Sequence, residues 1–354
     1  MNKKKQFGQF FTRKQSWFTK PLKEFIHDNL KENHFVLDPF AGEGDILNFL
    51  KCYFENKITN LHFVGYDIDK KFTEHKMNDS LKDIPYEKKH KYFITTNPPY
   101  LAKNSCCRKK YTQTYKDYFE TTNFTDLYLL ALSKMISTNQ PGFAIVPETF
   151  INSKFDKTNI NKIIVIESNP FEDTTTPICV VCFNGVELEK QIIYKNDDKI
   201  GSLQELKKIK TFVKEKSEFL KKIRFNDVNG VVALVGVDST NPKEKIKFIH
   251  KKELKYNISN IKTSSRAITI IHNEEFKYLD DLEIEKIITS ANQILNTFRT
   301  KTKDVLLSPF KGNNKNNQRR RRLDFHLARN ILTKAFIGNC NNINGDINYE
   351  TNRL

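Results

Sequence analysis

The chain has 354 residues, 38% of them hydrophobic and 29% charged, with a formal net charge of +17. This composition can build a core, and the length predicts two domains. The chain has no run of 18 apolar residues, and no apolar segment follows its basic start. Both features argue against a membrane-spanning or secreted protein and predict a cytoplasmic one. The excess of Lys and Arg favours a polyanion as partner, either nucleic acid or an anionic membrane surface, although a lysine-rich composition alone also explains it.

Strand and helix patterns alternate through the first half of the chain. Short apolar runs predict strands in "HFVLD", "NLHFVGYDID", "KYFITT", "GFAIVPETF", "NKIIVIES" and "PICVVCF". Helical patterns follow the first of these runs and occupy "TDLYLLALSKMI". Strands that alternate with helices predict a doubly wound, mostly parallel α/β sheet, in which ligands bind outside the carboxyl ends of the strands.

The composition changes after about Asn184, and we place the domain boundary between residues 186 and 187. Domain 187–354 is predicted to contain a basic helical stretch from Lys207 to Lys222, an apolar strand in "GVVALVGVD" and a helix in "EIEKIITSANQILNTF". An asparagine-rich loop then runs through Arg319–Arg322 into a basic helix. Lysines on a helix are as often a solvated face as a binding surface, but the arginine run favours contact with phosphates.

The six cysteines predict neither a disulfide framework nor a metal site. Cys106 and Cys107 are adjacent, and Cys179 and Cys182 flank two valines with no second pair and no suitable histidines nearby. We therefore expect reduced thiols in a cytosolic protein and no bound metal.

Two acidic clusters follow the first two predicted strands. Asp38 begins "DPFAGEG", whose glycines let the backbone approach a ligand and open the next helix. A third glycine and a phosphate-binding lysine are missing, so the leading acid favours a ligand with a positive charge or an amine. Asp67 ends the second strand, where a ribose diol is usually held. A lone acid there is more often a helix cap, but the two clusters together favour nucleoside binding.

The stretch Asn97-Pro98-Pro99-Tyr100 follows the third apolar strand. Two prolines remove two backbone donors and stiffen the chain. The Asn97 amide oxygen and the Pro98 carbonyl can accept hydrogen bonds from one planar NH₂ group, and Tyr100 can stack on the ring that bears it. This suits the exocyclic amine of a base or a carboxamide; a rigid turn is the plainer alternative.

Six segments of the chain resemble, in this order, the motifs of S-adenosylmethionine-dependent DNA adenine-N6 methyltransferases. They are "GQFFT" (Gly8 to Thr12), "DPFAGEGDIL", "GYDID", "NPPY", "GFAIVPETF" and "NPFEDTTTPICVVCF". The resemblance covers residues 6 to 184. It implies a Rossmann-like catalytic domain with a seven-stranded sheet, in residues 1–186, and a target-recognition domain for double-stranded DNA in residues 187–354. It also implies a monomer that protects host DNA, with a restriction endonuclease as a possible counterpart.

The resemblance further implies roles for individual residues. The cofactor residues it implies are Phe10, Phe11 and Thr12 in a lid, Asp38 at the methionine amine, Ala41 and Gly42 in the turn, Asp67 at the ribose, Ile68 and Asp79 at the adenine, and Asn97. Asp83 competes with Asp79 for its role. Asn97 and Pro98 would accept the N6 hydrogens of the target adenine, and Tyr100 and Phe171 would sandwich its ring.

The sequence departs from the pattern at two points. "RKQSWFTK" stands where a proline usually follows the lid threonine, and Pro-Phe replaces Pro-Ala after Asp38. The alternatives that share the fold are an RNA adenine methyltransferase and a protein glutamine methyltransferase. A DNA-binding module without catalysis is a third alternative, disfavoured by the intact Asn97 and Tyr100.

Overall fold

The computed structural model describes residues 15–343, apart from residues 172–173, 211–216, 256, 258–259 and 261–264. The chain divides into two compact units, one that ends at Leu203 and one that begins at Gln204. This boundary lies beyond the predicted position between residues 186 and 187, because two further strands pair onto the sheet of the first unit before the chain leaves it. None of the described helices is long and apolar enough to cross a bilayer.

The first unit is an α/β domain. Its described helices are α1 (Lys20–Asn29), α2 (Asp45–Phe54), α3 (Lys103–Arg108), α4 (Thr112–Tyr118) and α5 (Leu127–Ile136). Its described strands are β1 (Phe35–Asp38), β2 (His62–Asp67), β3 (Lys76–Met77), β4 (Tyr92–Thr96), β5 (Gly142–Pro147), β6 (Ile160–Ile166), β7 (Ile178–Phe183), β8 (Ile192–Lys195) and β9 (Asp198–Ser202).

These strands form one sheet in the order β3-β2-β1-β4-β5-β7-β6-β8-β9. The pairs from β3 to β5 and the pair β6/β8 are parallel, whereas β7 runs antiparallel to both β5 and β6. The predicted doubly wound, mostly parallel sheet of a Rossmann-like domain is therefore confirmed. The seven strands that the resemblance implied are present as β1 to β7, and β8 and β9 extend the sheet to nine.

The strand order reverses between β1 and β4. The chain passes from β1 to β2 on one side and from β4 to β5 on the other. Right-handed crossovers therefore place α2 and α5 on opposite faces of the sheet. The strands β4 and β7 are buried at every residue, as expected for a sheet covered on both faces. Such a reversal leaves a crevice at the carboxyl ends of β1 and β4.

The second unit combines an antiparallel sheet with two long helices. Its described helices after α6 (Leu203–Lys210) are α7 (Glu218–Lys222), α8 (Asp281–Thr302) and α9 (Phe325–Ile343). The strands β10 (Arg224–Phe225), β11 (Val232–Val235), β12 (Lys247–His250) and β13 (Ile268–His272) form a sheet in the order β10-β13-β11-β12. The strands β14 (Ser308–Asn313) and β15 (Arg319–Arg322) form a separate antiparallel ribbon.

Candidate functional site

A cleft opens at the carboxyl ends of β1, β2 and β4 and encloses about 800 Å³, counting its solvent-open mouth. Five carboxylic acids lie among its lining residues, and no lysine or arginine of the described chain does, although the chain as a whole is strongly basic. The lining residues are Asp38, Phe40, Ala41, Gly42, Glu43, Asp45, Ile46, Asp67, Ile68, Asn78, Asp79, Ser80, Leu81, Asn97, Pro99, Thr114, Tyr118 and Leu127. An acidic cleft in a basic protein selects a ligand with positive charge or several hydrogen-bond donors.

Asp38 ends β1 and is buried, with 2% of its surface exposed. Its Oδ1 accepts a hydrogen bond from the Phe40 N–H at 3.0 Å, and the Thr96 hydroxyl on β4 also favours the carboxylate. Burial nevertheless raises the pKa of Asp38 to about 7, because the anion loses its hydration. No cation in the described part of the chain contributes to this pKa. Asp38 is therefore prepared for a cationic or amine-bearing ligand.

The turn after Asp38 depends on two glycines in the left-handed region, Gly42 with φ +56° and Gly44 with φ +76°. A side chain at either position would be strained. The Gly42 N–H donates to Oδ2 of Asp67 at 3.0 Å, so the turn and the end of β2 are held together. Gly44 caps α2, whose first turn points its free N–H groups toward the same region.

Asp67 ends β2 and is buried, with 7% of its surface exposed. Its Oδ1 accepts a hydrogen bond from the Asp69 N–H at 2.8 Å. Burial raises the pKa of Asp67, and the Asp69 and Gly42 N–H groups partly offset that effect. Beside it, the Ile68 side chain is 38% exposed and lines the cleft. Because Asp67 and Ile68 are consecutive, the carboxylate can bind a diol while the apolar side chain contacts the face of a ring attached to it.

Asp79 and Asp83 differ in their position relative to the cleft. Asp79 lines the cleft, whereas Asp83 is exposed and is not among the lining residues. The Tyr118 hydroxyl on α4 donates a hydrogen bond to Oδ2 of Asp79 at 3.0 Å, and Nζ of Lys82 lies 3.3 Å from the same oxygen. Sequence reasoning missed Tyr118 and Thr114. They lie four residues apart, which places both on one helix face, and that spacing could have revealed them.

Asn97 and Pro99 line the cleft just beyond β4, and Pro98 is buried beside them. The Tyr100 hydroxyl donates to the Ile145 carbonyl of β5 at 2.7 Å. Burial raises the pKa of Tyr100 well above its usual range, so the phenol stays neutral and acts as a donor. The hydrogen bond ties the Tyr100 ring to β5, and Tyr100 is not among the lining residues of the cleft.

The predicted sandwich of Tyr100 and Phe171 is not a pair of parallel rings. The ring centres are 6.1 Å apart and the planes meet at 70°, an edge-to-face contact. Phe171 is only 3% exposed. A planar ligand between the two faces would require the Phe171 ring to turn. The predicted lid residues Phe10, Phe11 and Thr12 lie outside the described residues.

The arginine run does not form one exposed surface. Arg319–Arg322 forms strand β15, in which Arg319 is 6% and Arg321 1% exposed, while Arg320 and Arg322 are half-buried on the other side. This corrects the expectation of a loop with four arginines turned toward phosphates, because side chains alternate along a strand. The Arg320 guanidinium lies 4.9 Å from the centre of the Phe310 ring, and its Nε donates to the Asp238 carbonyl at 2.8 Å.

Metal-ligating side chains do not gather in the described part of the chain, where no group of three or more His, Cys, Asp or Glu residues could hold an ion.

No protein-family model matches the chain. The chain is similar to the type II methyltransferase M.AccI of Acinetobacter calcoaceticus, with 25% identity over 343 residues, covering 84% of this chain and 59% of that protein. The chain thus spans less than two thirds of the length of this relative.

Two solved structures are similar to part of the chain. A type I restriction-modification methyltransferase subunit from Streptococcus thermophilus shows 16% identity and a TM-score of 0.37, over 52% of this chain and 47% of that one. A Listeria monocytogenes protein assigned to the class I S-adenosylmethionine-dependent methyltransferases shows 14% identity and a TM-score of 0.35, over 49% of this chain and 61% of that one.

Proposed function

We propose that this protein transfers a methyl group from S-adenosylmethionine to N6 of adenine in double-stranded DNA. The observation that carries the proposal is the cleft. It brings together Asp38, Asp67, Asp79 and Asn97, which are far apart in sequence and which the motif resemblance assigns to the cofactor and the target amine. Similarity to a type II methyltransferase supports the same chemistry.

The cleft fits the cofactor by its donor and acceptor chemistry. S-adenosylmethionine carries an ammonium group, a ribose diol and an adenine amine, all of which donate hydrogen bonds. Asp38 and Asp67 offer carboxylate oxygens at the ends of β1 and β2, and Asp79 offers one just after β3. Ile68 offers an apolar surface for the adenine. When bound, the cofactor supplies a methyl group made electrophilic by its positive sulfur.

Asn97 and Pro98 would direct the target amine. The Asn97 amide oxygen and the Pro98 carbonyl accept the two N6 hydrogens, which points the nitrogen lone pair into the cleft. The two prolines and the end of β4 hold these acceptors still. The adenine amine is a weak nucleophile, so orientation and charge placement do most of the work and no strong base is needed.

The target adenine must leave the duplex to reach this site, at a cost of a few kcal/mol. Tyr100, fixed by the Ile145 carbonyl, offers one ring face to the extruded base. Phe171 begins in edge-to-face contact with Tyr100 and would turn to cover the second face. Stacking of this kind is worth about 1–3 kcal/mol per base, comparable to the cost of extrusion.

The second unit supplies DNA contacts in this proposal. The ribbon of β14 and β15 carries Arg320 and Arg322 on its half-exposed side, and its turn, residues 314–318, is polar and largely exposed. A two-stranded β-ribbon fits the major groove of B-DNA, where Asn, Gln, Lys and Arg read base edges. Of the four arginines predicted to contact phosphates, only Arg320 and Arg322 are therefore retained in this proposal. The enzyme acts as a cytoplasmic monomer and protects DNA from a restriction endonuclease that cuts the same site.

The test is methyl transfer from labelled S-adenosylmethionine to duplex DNA, to RNA and to protein, followed by sequencing of the DNA for modified bases. We expect label in duplex DNA, as N6-methyladenine at one short sequence. Label in RNA alone or in protein alone would replace the proposal with the RNA or the glutamine alternative. Duplex binding without transfer to any of the three would indicate a binding module.

A further inference from the structure

A helical arm leaves the sheet directly after the Asn97–Tyr100 motif. It consists of α3 and α4, and the chain between β4 and α5 contains nothing else of regular structure. Its two ends are tied together, since the Lys103 N–H donates to the Thr125 carbonyl at 2.8 Å and the Leu127 N–H to the Leu101 carbonyl at 3.1 Å. The arm is thus rooted beside the proposed target-base site.

One side of the arm belongs to the cleft. Thr114 and Tyr118 of α4 are buried and line it, and Tyr118 holds Asp79 through the hydrogen bond described above. Burial and the neighbouring Asp79 raise the pKa of Tyr118, which keeps the phenol neutral as a donor. The arm is therefore attached to the site at its root and along its second helix.

The tip of the arm is basic and exposed. Arg108 ends α3, Lys109 and Lys110 begin the connection to α4, and all three are exposed. Arg108 donates to the Ser105 hydroxyl at 3.2 Å, and none of the three forms an ion pair with a described carboxylate. Lys110 has φ +55°, the left-handed position that ends a helix and that usually carries Gly or Asn. A lysine in this conformation has a higher conformational free energy than a glycine would have. The chain therefore carries a positive charge at this position at the expense of some stability.

We propose that this arm is a DNA-phosphate clamp, with Arg108, Lys109 and Lys110 on the backbone that flanks the target adenine. The inference rests on the proposed function, because DNA that delivers a base to Asn97 must approach the carboxyl edge of the sheet. Helix α3 has six residues and is only about 9 Å long, so its tip remains near that edge. Three cations there complement the backbone while the acidic cleft behind them repels it.

The test compares two sets of charge removals in one domain. The arm variant carries Arg108→Gln, Lys109→Gln and Lys110→Gln. The control carries Lys88→Gln, Lys89→Gln and Lys91→Gln, three exposed lysines before β4, at the opposite end of the strand from Asn97. Affinity for a short duplex is measured over a salt series. We expect the slope of log affinity against log salt to lose about 2–3 in the arm variant and to stay near the parent value in the control.

A slope in the arm variant equal to that of the parent, or an equal loss in both sets, would overturn the clamp. Calorimetry with S-adenosylhomocysteine, without DNA, checks that the arm variant keeps an intact cleft. Should the triple variant misfold, the single change Lys110→Gly keeps the test open: it should raise the melting temperature and lower the slope by about 1. If the parent protein methylates DNA but the salt slopes of the parent and the arm variant are equal, only the clamp proposal is wrong. If the parent protein neither binds nor methylates duplex DNA, the proposed function itself is wrong.

Discussion

Two buried aspartates, one in each unit, are held in opposite ways. Asp38 in the cleft meets hydrogen-bond donors but no cation of the described chain, and burial raises its pKa to about 7. Asp238 in the second unit accepts two hydrogen bonds from the Arg299 guanidinium, both at 2.9 Å, and the Arg321 N–H at 3.0 Å. The Arg299 charge and these donors outweigh burial and lower the pKa of Asp238. A buried aspartate that is paired with an arginine of the same unit, such as Asp238, serves the fold. A buried aspartate without such a partner in the described chain, such as Asp38, is available to a ligand.

The largest expected effect comes from Asp38→Asn. A carboxyl with a raised folded pKa loses stability as the pH rises from its unfolded pKa near 4 to about 7. The asparagine variant should therefore be more stable than the parent at pH 8, by up to about 4 kcal/mol, and gain little at pH 4. It should also bind S-adenosylmethionine more weakly. Thermal melts without ligand at both pH values, together with calorimetry, check this; a variant less stable than the parent at pH 8 would contradict it.

Asn97→Ala should lower the rate of methyl transfer at least about 10²–10³-fold, the cost of losing one positioned hydrogen-bonding group at a reacting centre. Asn97 also lines the cleft, but affinity for S-adenosylhomocysteine should change far less than the rate, because the amide oxygen serves the target amine. Single-turnover transfer and calorimetry separate the two quantities. A fluorescent adenine analogue at the target position should still report extrusion; an active variant would reduce the motif to a stiff turn.

Asp238→Asn tests the other side of the comparison. Loss of a buried partner of Arg299 should lower the free energy of unfolding by about 3 kcal/mol, at the low end of such effects because Asp304 remains bound to Arg299. The parent should lose this contribution as the pH falls below the unfolded pKa near 4, while the variant shows no such loss. Asp227→Asn is the matched control, since its partner Arg224 is exposed and solvent screens that ion pair, so its loss should change the free energy of unfolding far less than the loss of the buried pair. Denaturant titrations of both variants give the difference.

Tyr100→Phe should slow methyl transfer about 5-fold, close to the 1 kcal/mol of one hydrogen bond, because the ring stays but loses its anchor on Ile145. Tyr100→Ala should be far slower, since it removes the stacking face. Equal rates for Tyr100→Phe and the parent would show that the prolines alone position the ring.

The smallest effect is expected from Arg320→Gln, which should reduce the salt slope of DNA binding by about 1 without changing the melting temperature greatly. Lys286→Gln, an exposed lysine on α8, serves as the control and should leave the slope unchanged. A slope that does not move in Arg320→Gln would leave the ribbon as a purely structural element.

The sequence by itself determined the alternation of strands and helices and the position of each acid after its strand. Parallel strands bring their carboxyl ends to one edge, so local pattern alone placed Asp38, Asp67 and Asn97 together. It also indicated the glycine turn, because glycine adopts positive φ without strain, as Gly42 and Gly44 do here.

Only the tertiary structure decided the rest. Contacts between segments distant in sequence set the direction of β7, the contact of Tyr118 with Asp79 and the burial of Arg319 and Arg321. The position of Asp79, but not Asp83, in the cleft lining also became visible only in the folded unit. A continuous apolar run carries no direction, and a run of four arginines does not show which side chains turn inward once a strand forms. Asp238 and Arg299 are 61 residues apart and meet only in the folded unit, where Asp238 accepts hydrogen bonds both from Arg299 and from the Arg321 N–H of β15.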